Sequence, residues 1–197
     1  MPLAILRDAL DAPPSRMKRR HWTRTDYFTL LGAGAFDGQR HELIRGELID
    51  KTGENPPHPA LVTLLAGRLA ELFGVYRVRV QGTIDVTPED NPTSLPEPDI
   101  CVTTTAAEHF VDRHPAAPDI VLLAEVSDST LGFDTSTKAD LYARAGIADY
   151  WVLDVRTRRI IVHRDPADGY YRSLTVYRAN EPVSPLAAPS ASLTLSR

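Results

Sequence analysis

The chain has 197 residues, 43% of them hydrophobic, which is enough for one hydrophobic core but too short for two domains of ordinary size. Its net charge of -4 argues against a highly basic nucleic-acid coat, and its single cysteine, Cys101, excludes an internal disulfide and a metal-thiolate site. No apolar run reaches the roughly 18 residues that a membrane span requires, and no secretory signal is visible, so we expect a cytoplasmic protein.

The N-terminus is basic and rich in proline. It contains Pro13-Pro14 and the run Arg16-Met-Lys-Arg-Arg20, a pattern typical of a flexible arm. We therefore predict a flexible basic arm over residues 1–20 and one domain over residues 21–197. A solvated tail without a function is the more ordinary interpretation of so short a charge run.

The first half of the domain predicts two helices and a β-hairpin. A helix is expected from Thr23 to about Ala33, before glycines break it. Two β-prone triplets between residues 42 and 50 are joined at Arg45-Gly46, as in a hairpin. Apolar residues then recur at helical spacing from His58 to Phe73, which places His58 on the inward face of a helix, in its first turn.

The second half predicts a sheet. The continuous apolar runs at residues 120–126 and 150–155 are typical of central strands that are covered on both faces. An Asp168-Gly169 turn joins the last two strands. Further strands are predicted at residues 77–86 with a bend at Gly82, from Asp99 through Ile100-Cys-Val, and at residues 160–163 and 170–177.

Lys138 stands out because only three of the 22 basic residues are lysines. The surrounding segment predicts a short helix, with Asp134 or Thr135 as N-cap and Gly146 as the residue that ends it. On this helix, Lys138 shares its inward face with Leu141, Tyr142 and Ala145. The helix dipole disfavours a cation in the first turns, so an inward lysine there requires an anionic partner.

Two acidic residues upstream are candidates for that partner. Glu125 ends the apolar run that starts at Ile120, and Asp99 follows Pro98 at the start of a strand. An aspartate, a glutamate and a lysine from two strands and a helix resemble a metal-dependent phosphodiesterase site. Two simpler interpretations stay open: Asp99 serves turn chemistry, or Glu125 and Lys138 form a purely structural ion pair.

Several longer motifs run from about Trp22 to the C-terminus. They are Glu42-Leu-Ile-Arg-Gly-Glu-Leu, His58, Pro98-Asp99-Ile100, Ala124-Glu-Val-Ser-Asp-Ser-Thr130, Asp134-Thr-Ser-Thr-Lys138, Leu141-Tyr-Ala-Arg-Ala-Gly-Ile147 and Tyr150-Trp-Val-Leu-Asp154. In these motifs the chain resembles the Uma-two family, which is grouped with the PD-(D/E)XK nucleases.

The resemblance implies an α/β (α+β) fold of restriction-endonuclease type, a mixed sheet flanked by helices, with hairpins in its N- and C-terminal parts. It places Asp99, Glu125 and Lys138 at the site, with Glu42 and His58 beside it. The superfamily's lysine stands two positions after the glutamate. In this chain that position is Ser127, so the lysine has moved to the neighbouring helix.

The implied activity is metal-dependent cleavage of nucleic acid, most simply DNA. Mg²⁺ or Mn²⁺ prefers hard oxygen ligands, here Asp99, Glu125 and the carbonyl of Val126. Lys138 would orient or help deprotonate the attacking water. Glu42 would bind a second metal or its water shell, and His58 would contact phosphate or a metal-bound water. The family and the symmetry of duplex substrates also suggest a homodimer.

Some alternatives stay open at this stage. The fold could serve as a catalytically silent nucleic-acid-binding or interaction module. Another carboxylate enzyme, such as a glycosidase, would have no obvious use for the inward Lys138. His58 could simply face a polar rim, and Tyr142 could be either a core aromatic or a hydrogen-bond donor behind the site.

Overall fold

The computed structural model describes residues 20–51 and 55–195. Apart from Arg20, the arm predicted over residues 1–20 therefore lies outside the described residues. The strands are β1 (His41–Ile44), β2 (Glu47–Asp50), β3 (Val78–Val80), β4 (Ile100–Thr103), β5 (Ile120–Ser127), β6 (Asp149–Asp154), β7 (Ile160–Ala167) and β8 (Tyr170–Tyr177).

The helices flank these strands. They are α1 (Arg24–Gly32), α2 (Pro57–Phe73), the short α3 (Leu131–Phe133) and α4 (Ala139–Ala145), with a π-helical segment (Asp134–Lys138) that joins α3 to α4. Among the described residues, no helix combines the length and apolar character that a bilayer span requires.

The main sheet has six strands in the order β3-β4-β5-β6-β7-β8. β5 and β6 run parallel, and the other neighbours in this sheet are antiparallel. β1 and β2 form a separate two-stranded hairpin. The mixed sheet flanked by helices, with hairpins in both parts of the chain, is confirmed.

Apolar side chains cover both faces of the central strands. One cluster joins α2 to one face of the sheet, through residues such as Leu65, Ala124 and Trp151. The other cluster lies beneath α4 and contains Leu123 and Tyr142. Because successive strand residues point to opposite faces, only a continuous apolar run can fill both clusters, as the sequence of β5 and β6 indicated.

The N-terminal hairpin turns at Arg45 and Gly46, both of which have a positive φ, of 51° and 81°. These angles suit the two-residue turns that join antiparallel strands, and β1 and β2 pair accordingly. A backbone bridge between Leu43 and Leu95 attaches the hairpin to the loop that leads to β4. Glu42 is thereby buried, whereas Glu47 is exposed.

The predicted strand at residues 77–86 is wrong beyond Val80. Only Val78–Val80 pairs with β4. Gln81 has a φ of 52°, a left-handed conformation that turns the chain out of the strand direction. The N–H of Ile84 then donates a hydrogen bond to the carbonyl of Pro96, and the Ile84 side chain packs in the cluster beneath α4. A short alternating pattern cannot distinguish this path from a bent strand.

His163 is a buried histidine on β7. The residue is 3% exposed, and its ring packs against two tyrosine rings, with centroid distances of 5.3 Å to Tyr150 and 5.6 Å to Tyr171. Burial lowers its pKa, because the apolar surroundings disfavour the charged imidazolium.

We expect His163 to make the fold sensitive to acid. Below about pH 6.5, the ordinary pKa of histidine, His163 binds a proton in the unfolded chain, whereas in the folded chain it does so only at lower pH. The stability that neutral His163 contributes above that pH is therefore lost as the pH falls. In urea unfolding, His163→Phe should therefore lose less free energy of unfolding between about pH 7.5 and pH 5.5 than the native chain. The exposed His109, changed to Phe, is the matched control; equal losses in the native chain and His163→Phe would contradict the prediction.

Candidate active site

The site lies where β4 and β5 diverge. The two strands pair as far as Ile100 and Ala124. Beyond that pair, the N–H of Val126 donates to Oδ2 of Asp99 at 2.8 Å, and the N–H of Asp99 lies 3.4 Å from Oε2 of Glu125. Backbone groups that no longer pair with each other therefore hold the two carboxylates at this end of the sheet.

Strand alternation sets the direction of Glu125. Its neighbour two positions earlier, Leu123, packs in the cluster beneath α4, so Glu125 points to the same face. There the hydroxyl of Tyr142 donates to Oε1 of Glu125 at 3.0 Å, and Nζ of Lys138 lies 2.9 Å from the same oxygen. Tyr142 is thus both a core aromatic and a donor behind the site.

The helix that carries Lys138 begins earlier than predicted. It starts at Leu131, so the prediction of Asp134 or Thr135 as N-cap is wrong. The carboxylate of Asp134 instead accepts hydrogen bonds from the hydroxyls of Ser127 and Thr130, both at 2.6 Å. Asp134 is therefore an internal, buried helix residue, and Lys138 does not lie in the first turn.

Hydroxyl side chains accompany the widened turn in the middle of this helix. Thr135 and Ser136 each donate to a carbonyl four residues back, at 2.6 Å, and Tyr150 donates to the carbonyl of Asp134 at 2.9 Å. Such π-helical turns are frequent at functional sites. Gly146 ends α4 with a φ of 80°, as predicted.

Lys138 is the centre of an ion-pair network. Its Nζ lies 2.8 Å from Oε1 of Glu42, 2.9 Å from Oε1 of Glu125 and 3.9 Å from Oδ1 of Asp134. The Lys138 side chain is 2% exposed. The predicted inward face is confirmed, since Leu141 and Tyr142 are also buried.

His58 and Glu42 lie beside this centre. His58, in the first turn of α2, places Nε2 3.3 Å from Oδ2 of Asp99. The second carboxylate oxygen of Glu42 accepts from the N–H of Glu97 at 3.1 Å. The structure thus brings the five predicted side chains to one pocket, whose lining includes Glu42, His58, Asp99, Glu125 and Lys138, together with the backbone of Val126.

Among the pocket residues that the sequence analysis did not assign to the site, Lys51 and Asp134 belong to the ion-pair network. Lys51 follows β2; its Nζ donates to the carbonyl of Glu97 at 2.7 Å and lies 3.4 Å from Oδ1 of Asp99. The scarcity of lysine that singled out Lys138 applies equally to Lys51. Asp134 had a signal too, since it precedes Lys138 by one helical turn.

Burial and charge perturb these groups in opposite directions. Burial acts to raise the pKa of Asp99, but the His58 hydrogen bond, the Lys51 charge and the Val126 N–H outweigh it and hold that pKa well below its usual range. Burial raises the pKa of Glu125 to about 8, although Lys138 opposes the shift. Burial favours neutral Lys138, but Glu125 and Glu42 raise its pKa well above the ordinary value.

The network carries more negative than positive charge. Four carboxylates, of Glu42, Asp99, Glu125 and Asp134, share the two ammonium groups of Lys51 and Lys138. With these six side chains fully ionised, the formal excess is two negative charges, a state that the raised pKa of Glu125 disfavours until a cation binds. A divalent cation would balance it.

The donor set fits a hard divalent cation. Within the described residues, no three acidic, histidine or cysteine side chains form a ready ligand cluster; the carboxylates are instead linked through lysines. In the two proposed ligand carboxylates, Oδ1 of Asp99 and Oε2 of Glu125 have the longer contacts, each 3.4 Å from its neighbour. The N–H of Val126 faces Asp99, and the N–H and carbonyl of one strand residue point to the same strand edge, so the Val126 carbonyl is a candidate ligand there. Two carboxylates and a carbonyl suit Mg²⁺ or Mn²⁺.

A solved structure shares this fold. The crystal structure described as "a putative nuclease belonging to DUF820", from Anabaena variabilis, superposes with a TM-score of 0.63 at 15% sequence identity, over 88% of this chain and 94% of that one. The chain thus has the fold of that nuclease. No curated protein is similar enough in sequence to match this chain.

The sequence profile of the Uma2 family, described as "Putative restriction endonuclease", matches residues 25–196. The chain therefore belongs to the Uma2 family, as its motifs indicated.

Replacing Lys138 should destabilise the protein through charge. In Lys138→Met, which keeps much of the side-chain volume, the carboxylates of Glu42 and Glu125 lose their shared cation, and unfolding free energy near neutral pH should fall by about 3 kcal/mol or more. The deficit should shrink in acid, where the carboxylates take up protons.

A double variant separates charge from packing. Lys138→Met combined with Glu42→Gln should recover part of the lost stability, because one unpaired carboxylate is removed. A double variant no more stable than Lys138→Met would show that the lysine stem, not its charge, stabilises the site.

Proposed function

We propose that this protein is a Mg²⁺- or Mn²⁺-dependent endonuclease that hydrolyses phosphodiester bonds in DNA. The observation that carries the proposal is the convergence of Asp99, Glu125 and Lys138 where β4 and β5 diverge, in a network with excess negative charge. Family membership and the shared nuclease fold support the nuclease-like activity.

Asp99, Glu125 and the carbonyl of Val126 would hold the cation. The bound ion would supply charge neutralisation at the phosphorus and lower the pKa of a water. In each ligand carboxylate, the oxygen that is not proposed to bind the ion is held by the protein. The N–H of Val126 and His58 hold Oδ2 of Asp99. Lys138 and Tyr142 hold Oε1 of Glu125. Fixed carboxylates lower the cost of ordering ligands when the ion binds.

Lys138 would act as a fixed cation. The sequence left two roles open, orienting the attacking water or deprotonating it. Two short ion pairs and a raised pKa keep the ammonium protonated, so it can donate hydrogen bonds but not accept a proton. We therefore assign it the orienting role, with added stabilisation of negative charge at the phosphate.

Glu42 and His58 would position other groups. Both oxygens of Glu42 are engaged, one by Lys138 and one by the N–H of Glu97, which favours holding Lys138 over binding a second metal. His58 bonds the carboxylate of Asp99, which favours orienting that ligand over contact with phosphate. The homodimer remains a prediction from the resemblance and from duplex symmetry.

The proposal predicts cleavage only with a suitable divalent ion. Purified protein should nick or cut plasmid DNA with Mg²⁺ or Mn²⁺, and EDTA should abolish the activity. Glu125→Gln, which keeps the shape of the side chain, should reduce the rate at least about 100-fold and weaken Mn²⁺ binding in calorimetry. The exposed Glu47→Gln in the hairpin is the matched control and should behave like the native chain.

Two results would contradict the proposal. Activity that survives full chelation would exclude a metal-dependent reaction. Binding of nucleic acid without cleavage, across single-stranded and duplex DNA and RNA and with either metal, would favour the catalytically silent module.

A further inference from the structure

The two lysines of the pocket are held very differently. The Lys138 side chain is 2% exposed and makes ion pairs of 2.8 and 2.9 Å with carboxylates on β1 and β5. The Lys51 side chain is 10% exposed, its shortest contact is the neutral carbonyl of Glu97 at 2.7 Å, and its ion pair with Asp99 is 3.4 Å long. Lys51 is therefore the more weakly confined cation.

The ammonium of Lys51 lies beside the oxygen of Asp99 that is proposed to bind the metal. Its Nζ faces Oδ1 of Asp99, whereas Val126 and His58 hold Oδ2. A divalent ion on Oδ1 would lie close to the ammonium, and like charges at such short range repel strongly. One of the two cations must move, and Lys51 has the long flexible stem to do so.

A displaced Lys51 still needs an anionic partner. Away from the carboxylates it has the ordinary lysine pKa of about 10.4, so it stays charged at neutral pH. Lys51 lines the pocket, in which a substrate phosphodiester would present such an anion.

We propose that Lys51 is a displaceable cation: it occupies Asp99 in the metal-free protein, yields that oxygen to the divalent ion and then pairs with a phosphate oxygen of the substrate. The first half of this inference rests on the metal site of the proposed function, and the second half rests on its phosphodiester substrate. The first half, competition between Lys51 and the divalent ion, concerns the protein without substrate.

Mn²⁺ titration of the full chain, without nucleic acid, tests the competition. Lys51→Met keeps the length of the side chain and removes its charge, so Mn²⁺ should bind several-fold more tightly than to the native chain. Lys51→Arg, which keeps the cation, should stay close to the native affinity. Arg68→Met, an exposed site on α2, controls for the loss of one positive charge elsewhere and should change the affinity little.

Cleavage and DNA binding test the second half. With saturating Mn²⁺, Lys51→Met should cleave plasmid DNA at least about 10-fold more slowly, and its DNA affinity should depend less steeply on salt, by about one phosphate contact. Unchanged cleavage and salt dependence would overturn the phosphate role. If Lys51→Met binds Mn²⁺ more tightly than the native chain, but the native chain never cleaves nucleic acid, the result would contradict the proposed function alone.

Three outcomes of the titration overturn the proposal. Lys51→Met that binds Mn²⁺ with equal or weaker affinity would show that Lys51 does not compete for the site. Lys51→Met that fails to fold would show that the lysine is a structural ion-pair partner, which a displaceable cation cannot be. Absence of Mn²⁺ binding in the native chain, Lys51→Met and Lys51→Arg would overturn both this inference and the proposed function.

Discussion

Lys138, paired at once with Glu42 and Glu125, is the interaction on which the site depends. A buried ammonium is tolerated only when anions compensate it, and a buried carboxylate is tolerated only with a cation or hydrogen-bond donors. The two ion pairs, 2.8 and 2.9 Å long, therefore tie β1, β5 and the π-helical segment to one point. Removing Lys138 leaves the buried carboxylates of Glu42 and Glu125 without their shared cation.

The divergence of β4 and β5 places the carboxylates of Asp99 and Glu125 beside Lys138. Beyond the last paired residues, the carboxylate of Asp99 accepts the N–H of Val126, a backbone donor that does not pair with β4. The ion pairs of Lys138 with Glu42 and Glu125 are 2.8 and 2.9 Å long, whereas the ion pair of Lys51 with Asp99 is 3.4 Å long. A site of this kind combines fixed orientation with room for a cation.

Local patterns predicted the elements well where one period dominated. Continuous apolar runs marked β5 and β6, and the two positive φ values at Arg45 and Gly46 agree with the hairpin expected there. The errors fall where side chains or unusual backbone angles override the period. The left-handed conformation of Gln81 ends β3 early. The hydroxyls of Ser127 and Thr130 donate to Asp134, which lies inside a helix that it was expected to cap.

By itself, the sequence identified the residues of the candidate site, because Asp99, Glu125 and Lys138 are charged residues beside apolar segments that form the core. The tertiary structure alone decided how they meet. Lys51 reaches Asp99 across 48 positions of the chain, a contact that no local period encodes. Only the folded sheet brings four carboxylates to two ammonium groups, because that balance of charge arises from strand order and burial and not from spacing along the chain.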